Sequence, residues 1–136
     1  TNRCMKHYLI NYSVDWCDEF DMPFYELLDE DMYRIYMYAK LKLGSAFTTK
    51  GFGSNEAWEV CQGKEYGLDL LQFEPVELSD IEYSVIKNHL PIGTLDVMDD
   101  LLNYLEDRAN LKDSEDIYKM TPEQVMKIID AIAKWV

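Results

Sequence analysis

The sequence predicts an α+β fold: a small, mostly antiparallel sheet with about four packed helices, forming a single domain over residues 1–136. Three observations indicate this class. Apolar and polar residues alternate near the N-terminus, helix-capping signals precede apolar residues at helical spacing, and 48% of the 136 residues are hydrophobic. A chain of this length buries a core without needing disulfides or metals.

The first predicted strand covers residues 6–14. Successive residues of a strand point to opposite faces, so one set of side chains faces the core and the other faces solvent. The inward set is Tyr8, Ile10, Tyr12 and Val14, and the outward set is Leu9, Asn11 and Ser13. Pro23 stops any helix in the stretch that follows, and we expect a second, short strand over residues 24–28. Residues 1–4 precede Met5 and are interpreted as a cloning remnant outside the fold.

The first predicted helix begins after Asp29, because aspartate is one of the residues preferred at a helix N-cap. Glu30 and Asp31 follow in the first turn, where the helix dipole favours carboxylates. The apolar stripe of this helix is Met32, Ile35, Tyr36, Ala39 and Leu43. We expect the stripe to be buried and the helix to end at Gly44, ahead of a glycine- and threonine-rich loop over residues 45–54.

The middle of the chain carries weaker signals. Residues 56–60 are predicted as a strand, and residues 64–72 as a short helix. Residues 73–78 contain Pro75, which restricts them to a sheet edge or to the start of a strand because proline cannot donate to a ladder.

A capping box then marks the next helix. Ser79 and Glu82 have the spacing in which each side chain bonds the backbone amide of the other residue. The helix is expected to run to about Leu90, because Pro91 prevents it from continuing.

Two further helices are predicted in the last third. Thr94 caps the first, which ends near Arg108 and has Leu95, Met98, Leu101, Leu102 and Leu105 as its apolar residues. A polar loop follows over residues 110–114. The last helix begins with Thr121, Pro122 and Gln124 as cap, first helical residue and capping-box partner. Its core residues are Val125, Ile128, Ile129, Ile132 and Trp135.

The charge balance excludes several classes of partner. Thirteen Lys and Arg against 26 Asp and Glu give a formal net charge of −13, and the pI is near 4.4. A basic patch for nucleic acid or for anionic lipid is therefore not expected. The three cysteines form no CxxC pair, and no apolar run reaches the roughly 18 residues that span a bilayer. We expect a cytoplasmic protein with no membrane contact.

Carboxylates are concentrated in residues 15–31, which hold eight Asp and Glu residues, no Lys, Arg or His, and interleaved aromatics. Such clustering costs self-repulsion that a basic partner relieves, and aromatic residues among the charges are typical interface anchors. The predicted partner-binding residues are Asp15, Trp16, Asp18, Glu19, Asp21, Tyr25, Asp29, Glu30 and Asp31.

A second acidic face is predicted on the helix after Thr94. It comprises Asp96, Asp99, Asp100, Glu106 and Asp107. With a rise of about 1.5 Å per residue, these five carboxylates fall within roughly 17 Å of helix. That is about one carboxylate per 3.4 Å, similar to the spacing of phosphates along one DNA strand. Such a surface could imitate nucleic acid.

Signatures of catalysis are missing from the sequence. Neither His7, in a predicted strand, nor His89, at a predicted helix end, lies near a Ser or Cys in a nucleophile context, and both are interpreted as structural. The phosphate-binding glycine motifs and the calcium-loop spacing are absent from the 136 residues. We expect no metal site, no cofactor and no enzymatic activity.

The functional hypothesis is a small acidic inhibitor that covers a basic surface of a partner protein, such as a nuclease or another nucleic-acid-binding protein. Toxin-immunity proteins of nuclease toxins and phage counter-defence proteins act in this way. One alternative is an acidic structural or adaptor domain with no basic partner. Another is a small hydrolase that uses carboxylates distant in sequence. The sequence leaves the oligomeric state open.

Overall fold

The computed structural model describes residues 5–16, 20–48, 71, 73–89, 97–111 and 116–134. These residues contain three strands: β1 (His7–Trp16), β2 (Phe20–Asp29) and β3 (Val76–Leu78). They also contain four α-helices: α1 (Glu30–Thr48), α2 (Asp80–His89), α3 (Val97–Ala109) and α4 (Pro122–Ala133). One 3₁₀ helix (Ile117–Lys119) precedes α4. The predicted α+β class is confirmed.

Contacts divide the chain into two compact units. The first consists of Thr1–Tyr33 and Phe73–Asp96, and the second of Arg34–Gln72 and Val97–Val136. The sheet and α2 therefore belong to the first unit, while α3, α4 and most of α1 belong to the second. The expectation of one domain over residues 1–136 stays a prediction.

The three strands form one antiparallel sheet in the order β2-β1-β3. The hairpin of β1 and β2 runs in continuous register from the pair His7 and Asp29 to the pair Trp16 and Phe20. β3 pairs with residues 7–9 alone. Among the described strands, β1 and β2 therefore continue past β3 as a two-stranded ribbon.

The predicted alternation along β1 is confirmed where its side chains are described. Tyr8 and Ile10 are buried, at 8% and 0% exposure, whereas Leu9 is partly buried and Asn11 is exposed. The side chains of residues 12–16 and 20–24 lie outside the description. Tyr8 stacks on Tyr33 at 3.7 Å between ring centroids, and this packing contributes to the burial of the Tyr8 side chain.

β2 begins earlier than the predicted strand of residues 24–28. It starts at Phe20 and includes Pro23. Proline is accepted in this strand because β2 lies at an edge of the sheet, where a backbone amide on the outer side needs no strand partner.

The N-terminus of α1 is confirmed, but its predicted end is wrong. Asp29 Oδ1 accepts a hydrogen bond of 2.8 Å from the Met32 amide, as an N-cap does. The helix continues through Gly44 to Thr48, so residues 45–48 are not loop. A glycine costs only about 1 kcal/mol in a helix relative to alanine, which packing of neighbouring residues can outweigh.

The apolar stripe of α1 is buried from its second turn onward. Ile35, Tyr36, Ala39 and Leu43 are all buried. Met32 is 39% exposed, so its predicted burial is wrong. In the first turn it is Tyr33, through its stack on Tyr8, that packs against the sheet.

β3 and α2 follow the local sequence signals. β3 begins just after Pro75 and forms the other edge of the sheet. The Ser79 amide donates to Glu82 Oε1 at 2.9 Å, and the Glu82 amide donates to Ser79 Oγ at 3.2 Å. Both bonds of the predicted capping box are therefore present.

α3 and α4 pack against each other in the second unit. Their buried residues are Val97, Met98, Leu101, Tyr104, Leu105, Val125, Ile129 and Ile132. The Thr121 and Gln124 capping box is confirmed, with bonds of 2.8 and 3.2 Å. Ile128 is only partly buried, which corrects its assignment to the core, because it lies at the margin of the buried face of α4. Leu102 on α3 is also only partly buried.

Polar contacts tie the other elements of the second unit to α3 and α4. Arg34 on α1 pairs with Glu123 at 2.8 Å, and Tyr38 donates to Asp130 at 2.6 Å. Tyr118 of the 3₁₀ helix donates to Asn103 on α3 at 2.9 Å. These contacts place α1 and the 3₁₀ helix around the pair formed by α3 and α4.

Several predictions fall outside the described residues: the strand over residues 56–60, nearly all of the helix over 64–72, and Leu90, Pro91, Thr94, Leu95 and Trp135. The loop predicted over residues 110–114 is described only at its start. Asn110 there has a φ of 54°, a left-handed conformation in which Asn is one of the favoured residues.

Candidate protein-binding surface

The acidic residues at the far end of the hairpin stand opposite one another. Asp15 pairs with Asp21 in the register of β1 and β2, and Trp16 pairs with Phe20. Like charges at directly opposed positions destabilise a sheet. Asp18 and Glu19, between the two strands, lie outside the described residues. The hairpin thus brings together two of the predicted partner-binding acids.

The remaining residues of the acidic segment lie at the other end of β2. Tyr25 is partly buried, opposite Asn11. Asp29 caps α1, Glu30 is partly buried and Asp31 is exposed. Eight residues at about 3.3 Å each separate Asp21 from Asp29, a distance of about 26 Å along the strand. The acidic segment is therefore spread along a strand and is not a single cluster.

The second predicted acidic face is less exposed than its sequence suggests. Asp99, Asp100 and Glu106 on α3 are partly buried, and Asp107 is exposed; Asp96 lies outside the described residues. Burial, together with the neighbouring Asp99 carboxylate, raises the pKa of Asp100. The four described carboxylates extend over nine residues of helix, a length of about 12 Å. Their spacing, about one carboxylate per 3 Å of helix, is close to the one predicted for the five acids.

The net charge is divided unequally between the two units. Residues 1–33 and 73–96 contain three Lys and Arg against thirteen Asp and Glu, a formal net charge of −10. Residues 34–72 and 97–136 contain ten against thirteen, a formal net charge of −3. The unit that contains the sheet therefore holds most of the chain's net negative charge, in fewer than half of its residues.

The described cations of the first unit are engaged in local contacts. Lys6 pairs with Glu77 at 3.2 Å, and this hydrogen bond raises the pKa of Lys6. Lys87 lies 5.5 Å from the centre of the Tyr83 ring, within the range of a cation–π contact. The ring of Tyr83 stacks on His7 at 3.6 Å.

The described residues were searched for metal-ligand groups and for helices that could span a membrane. No group of three or more His, Cys, Asp or Glu side chains among them could hold a metal ion. No helix in the described ranges has both the length and the apolar character needed to cross a bilayer. His89 is exposed in the last turn of α2. At this end of a helix a basic side chain interacts favourably with the helix dipole.

Comparison with known proteins gave no match: no family model, no curated protein and no solved structure is similar to this chain.

Two features of the surface were not found from the sequence. The first is the unequal charge of the two units, which depends on contacts between segments distant in the chain. The second is a group of exposed apolar residues on β3 and α2: Val76 is 54% exposed, Ile81 78% and Val85 49%. The spacing of Ile81 and Val85, one turn apart on a capped helix, was the available signal for the second feature.

Proposed function

We propose that this chain is a small cytoplasmic binding protein that covers a basic, nucleic-acid-binding surface of a partner protein, in the manner of a toxin-immunity or phage counter-defence protein. The observation that carries the proposal is the net charge of −10 on the unit that contains the sheet. Charge of one sign held on one part of a surface attracts the opposite charge over long range and raises the rate of encounter.

The nucleic-acid-binding character of the partner follows from the same charge. A protein that binds nucleic acid presents Lys and Arg residues to phosphates, and an acidic surface competes for those residues. The hairpin supports this, since it carries Asp15 and Asp21 at paired positions on an extended ribbon. The carboxylates of α3 add a second acidic array.

A capture experiment tests the proposal. The full chain is immobilised and incubated with lysate of its natural host at low salt, and the retained proteins are eluted with increasing salt and identified. We expect at least one basic protein that is released by salt, because counterions screen the attraction. Duplex DNA or RNA added at constant salt should release the same protein. An unrelated protein with a pI near 4.4 is the matched control for general acidity.

Two results would contradict the proposal. If the control protein captures the same set, the acidity is not specific and the chain is an acidic structural or adaptor domain. If nucleic acid does not displace the captured protein, the surface covered is not a nucleic-acid-binding one.

A further inference from the structure

We propose that the exposed side of α2 is a docking surface for a cationic amphipathic helix of the partner protein. This side, the α2 face, consists of Ile81, Ser84, Val85 and Asn88, at the i, i+3, i+4 and i+7 spacing of one side of a helix. All four residues are exposed, and Ile81 is 78% exposed. The inference rests on the proposed function in one respect, the positive charge of the partner.

Among the residues that the structure describes, none covers this face of α2. None of its ten residues is fully buried, and only Tyr83 and Ile86, on the opposite side, are partly buried. Tyr83 stacks on His7 of β1. An isolated helix of fewer than about 12 residues is marginal in water and depends on packing of a face. α2 thus uses one narrow side for its own fold and presents Ile81 and Val85 outward.

The shape of the α2 face suits another helix. Ser84 stands beside the two apolar residues and is small, so a neighbouring helix can approach closely and fit its ridges between them. Ser84 Oγ accepts a hydrogen bond of 3.3 Å from Asn88 Nδ2, which engages both polar groups within the face. Addition of a strand at β3 is disfavoured, because β3 has three residues and follows Pro75.

The net charge favours a cationic partner, rather than a second copy of this chain, as the occupant of the α2 face. Two copies would bring together two units that each have a net charge of −10, and this repulsion opposes self-association. At the N-terminal end of α2, Asp80 and Glu82 are exposed beside the apolar residues, whereas Lys87 and His89 are exposed at the C-terminal end. The partner helix therefore places its Lys and Arg residues beside Asp80 and Glu82.

The test uses a synthetic peptide as the probe. It is a helix of about 20 residues with Leu at i, i+3, i+4 and i+7 spacing and Lys flanking the Leu stripe. One control peptide has the same composition in scrambled order, and another has Glu in place of Lys. Binding to the full chain is measured by fluorescence anisotropy, and the site is located by amide chemical shifts of residues 80–89. The variants are Ile81→Ser with Val85→Ser, and Leu41→Ser, a residue 74% exposed on α1, as the matched control.

We expect saturable binding of the Lys peptide only, with shifts confined to α2. The double variant should weaken binding by at least about tenfold, and Leu41→Ser should leave it unchanged. Binding that the double variant leaves unchanged, or binding equal for the scrambled peptide, overturns the docking surface. Two other results also overturn it: a lower melting temperature of the double variant, because the chain itself then covers the face, and a dimer in sedimentation that the double variant dissociates.

Capture of the natural partner by variants of this chain separates this inference from the proposed function. Charge reversal of Asp18, Glu19 and Asp21 to Lys weakens capture of the natural partner if the proposed function is right. If it does so while the double variant captures the partner normally, the acidic binding function stands and the α2 face is not its docking surface.

Discussion

Asp100 is under two opposing influences at the start of α3. It lies in the first turn of the helix, where the dipole stabilises a carboxylate by roughly 0.3–1 kcal/mol. Its partial burial and the adjacent Asp99 act the other way, and their joint effect raises the pKa of Asp100. The folded state therefore binds this proton more tightly than the unfolded state, and the ionised carboxylate lowers the stability of the fold at neutral pH.

Asp100→Asn should raise the melting temperature at neutral pH, because the amide has no charge to desolvate. With a raised folded pKa, the carboxyl group's stabilising contribution is complete below its ordinary value of 3.8 and is lost as the pH rises through the folded value. The gain from the substitution should therefore disappear in acid. Melting curves measured across this pH range check the prediction.

The control for Asp100→Asn is Asp107→Asn. It changes the net charge of the chain by the same amount at an exposed position of the same helix. Equal gains in the two variants would assign the effect to net charge, and a loss of stability in Asp100→Asn would show that the helix dipole outweighs burial.

Elements were predictable from the sequence where the signal is local. The capping boxes of α2 and α4 lie within four residues each, and their hydrogen bonds form as expected. The end of α1 was not predictable, because Gly44 is a local stop signal whose cost depends on tertiary packing. The length of β2 was missed for a related reason: whether Pro23 is accepted in a strand depends on the strand's place in the sheet.

The core face of α4 gives a prediction at the scale of the element. Ile129 is fully buried, whereas its neighbour Ile128 is only partly buried. Ile129→Ala should lower the free energy of unfolding by roughly 2–5 kcal/mol, since a large buried side chain is replaced by a cavity. Ile128→Ala removes the same atoms and should cost clearly less. Urea unfolding of both variants measures the difference, and a loss below about 1 kcal/mol for Ile129→Ala would mean that α4 is peripheral.

At the scale of the whole molecule, the net charge has a distribution that the linear sequence conceals. The unit with a net charge of −10 is assembled from residues 1–33 and 73–96, and the segment between them contains both signs. A charge plot along the chain finds the acidic segment at residues 15–31, but it cannot assign Glu74, Glu77 and Asp80 to the same unit. That assignment depends on the pairing of β3 with β1, a contact about seventy residues apart in the chain.

This distribution predicts where charge reversal matters. Two triple variants change the net charge from −13 to −7: Asp18, Glu19 and Asp21 to Lys in the first unit, and Asp99, Glu106 and Asp107 to Lys on α3. Long-range attraction acts before contacts form, so the first variant should slow association with the captured partner by at least about tenfold and leave dissociation nearly unchanged. The α3 variant should slow association less, because its unit has a net charge of only −3.

Surface plasmon resonance across a salt series, with melting curves in parallel, separates the effect of where the reversed charges lie from the effect of the total net charge. The difference between the two variants should shrink as salt rises, because the screening length falls from about 10 Å at 0.1 M to about 3 Å at 1 M. Equal slowing in both variants would show that net charge, and not its place in the fold, governs encounter. Unchanged association in both would contradict the acidic binding function itself, provided that the melting curves show both variants folded.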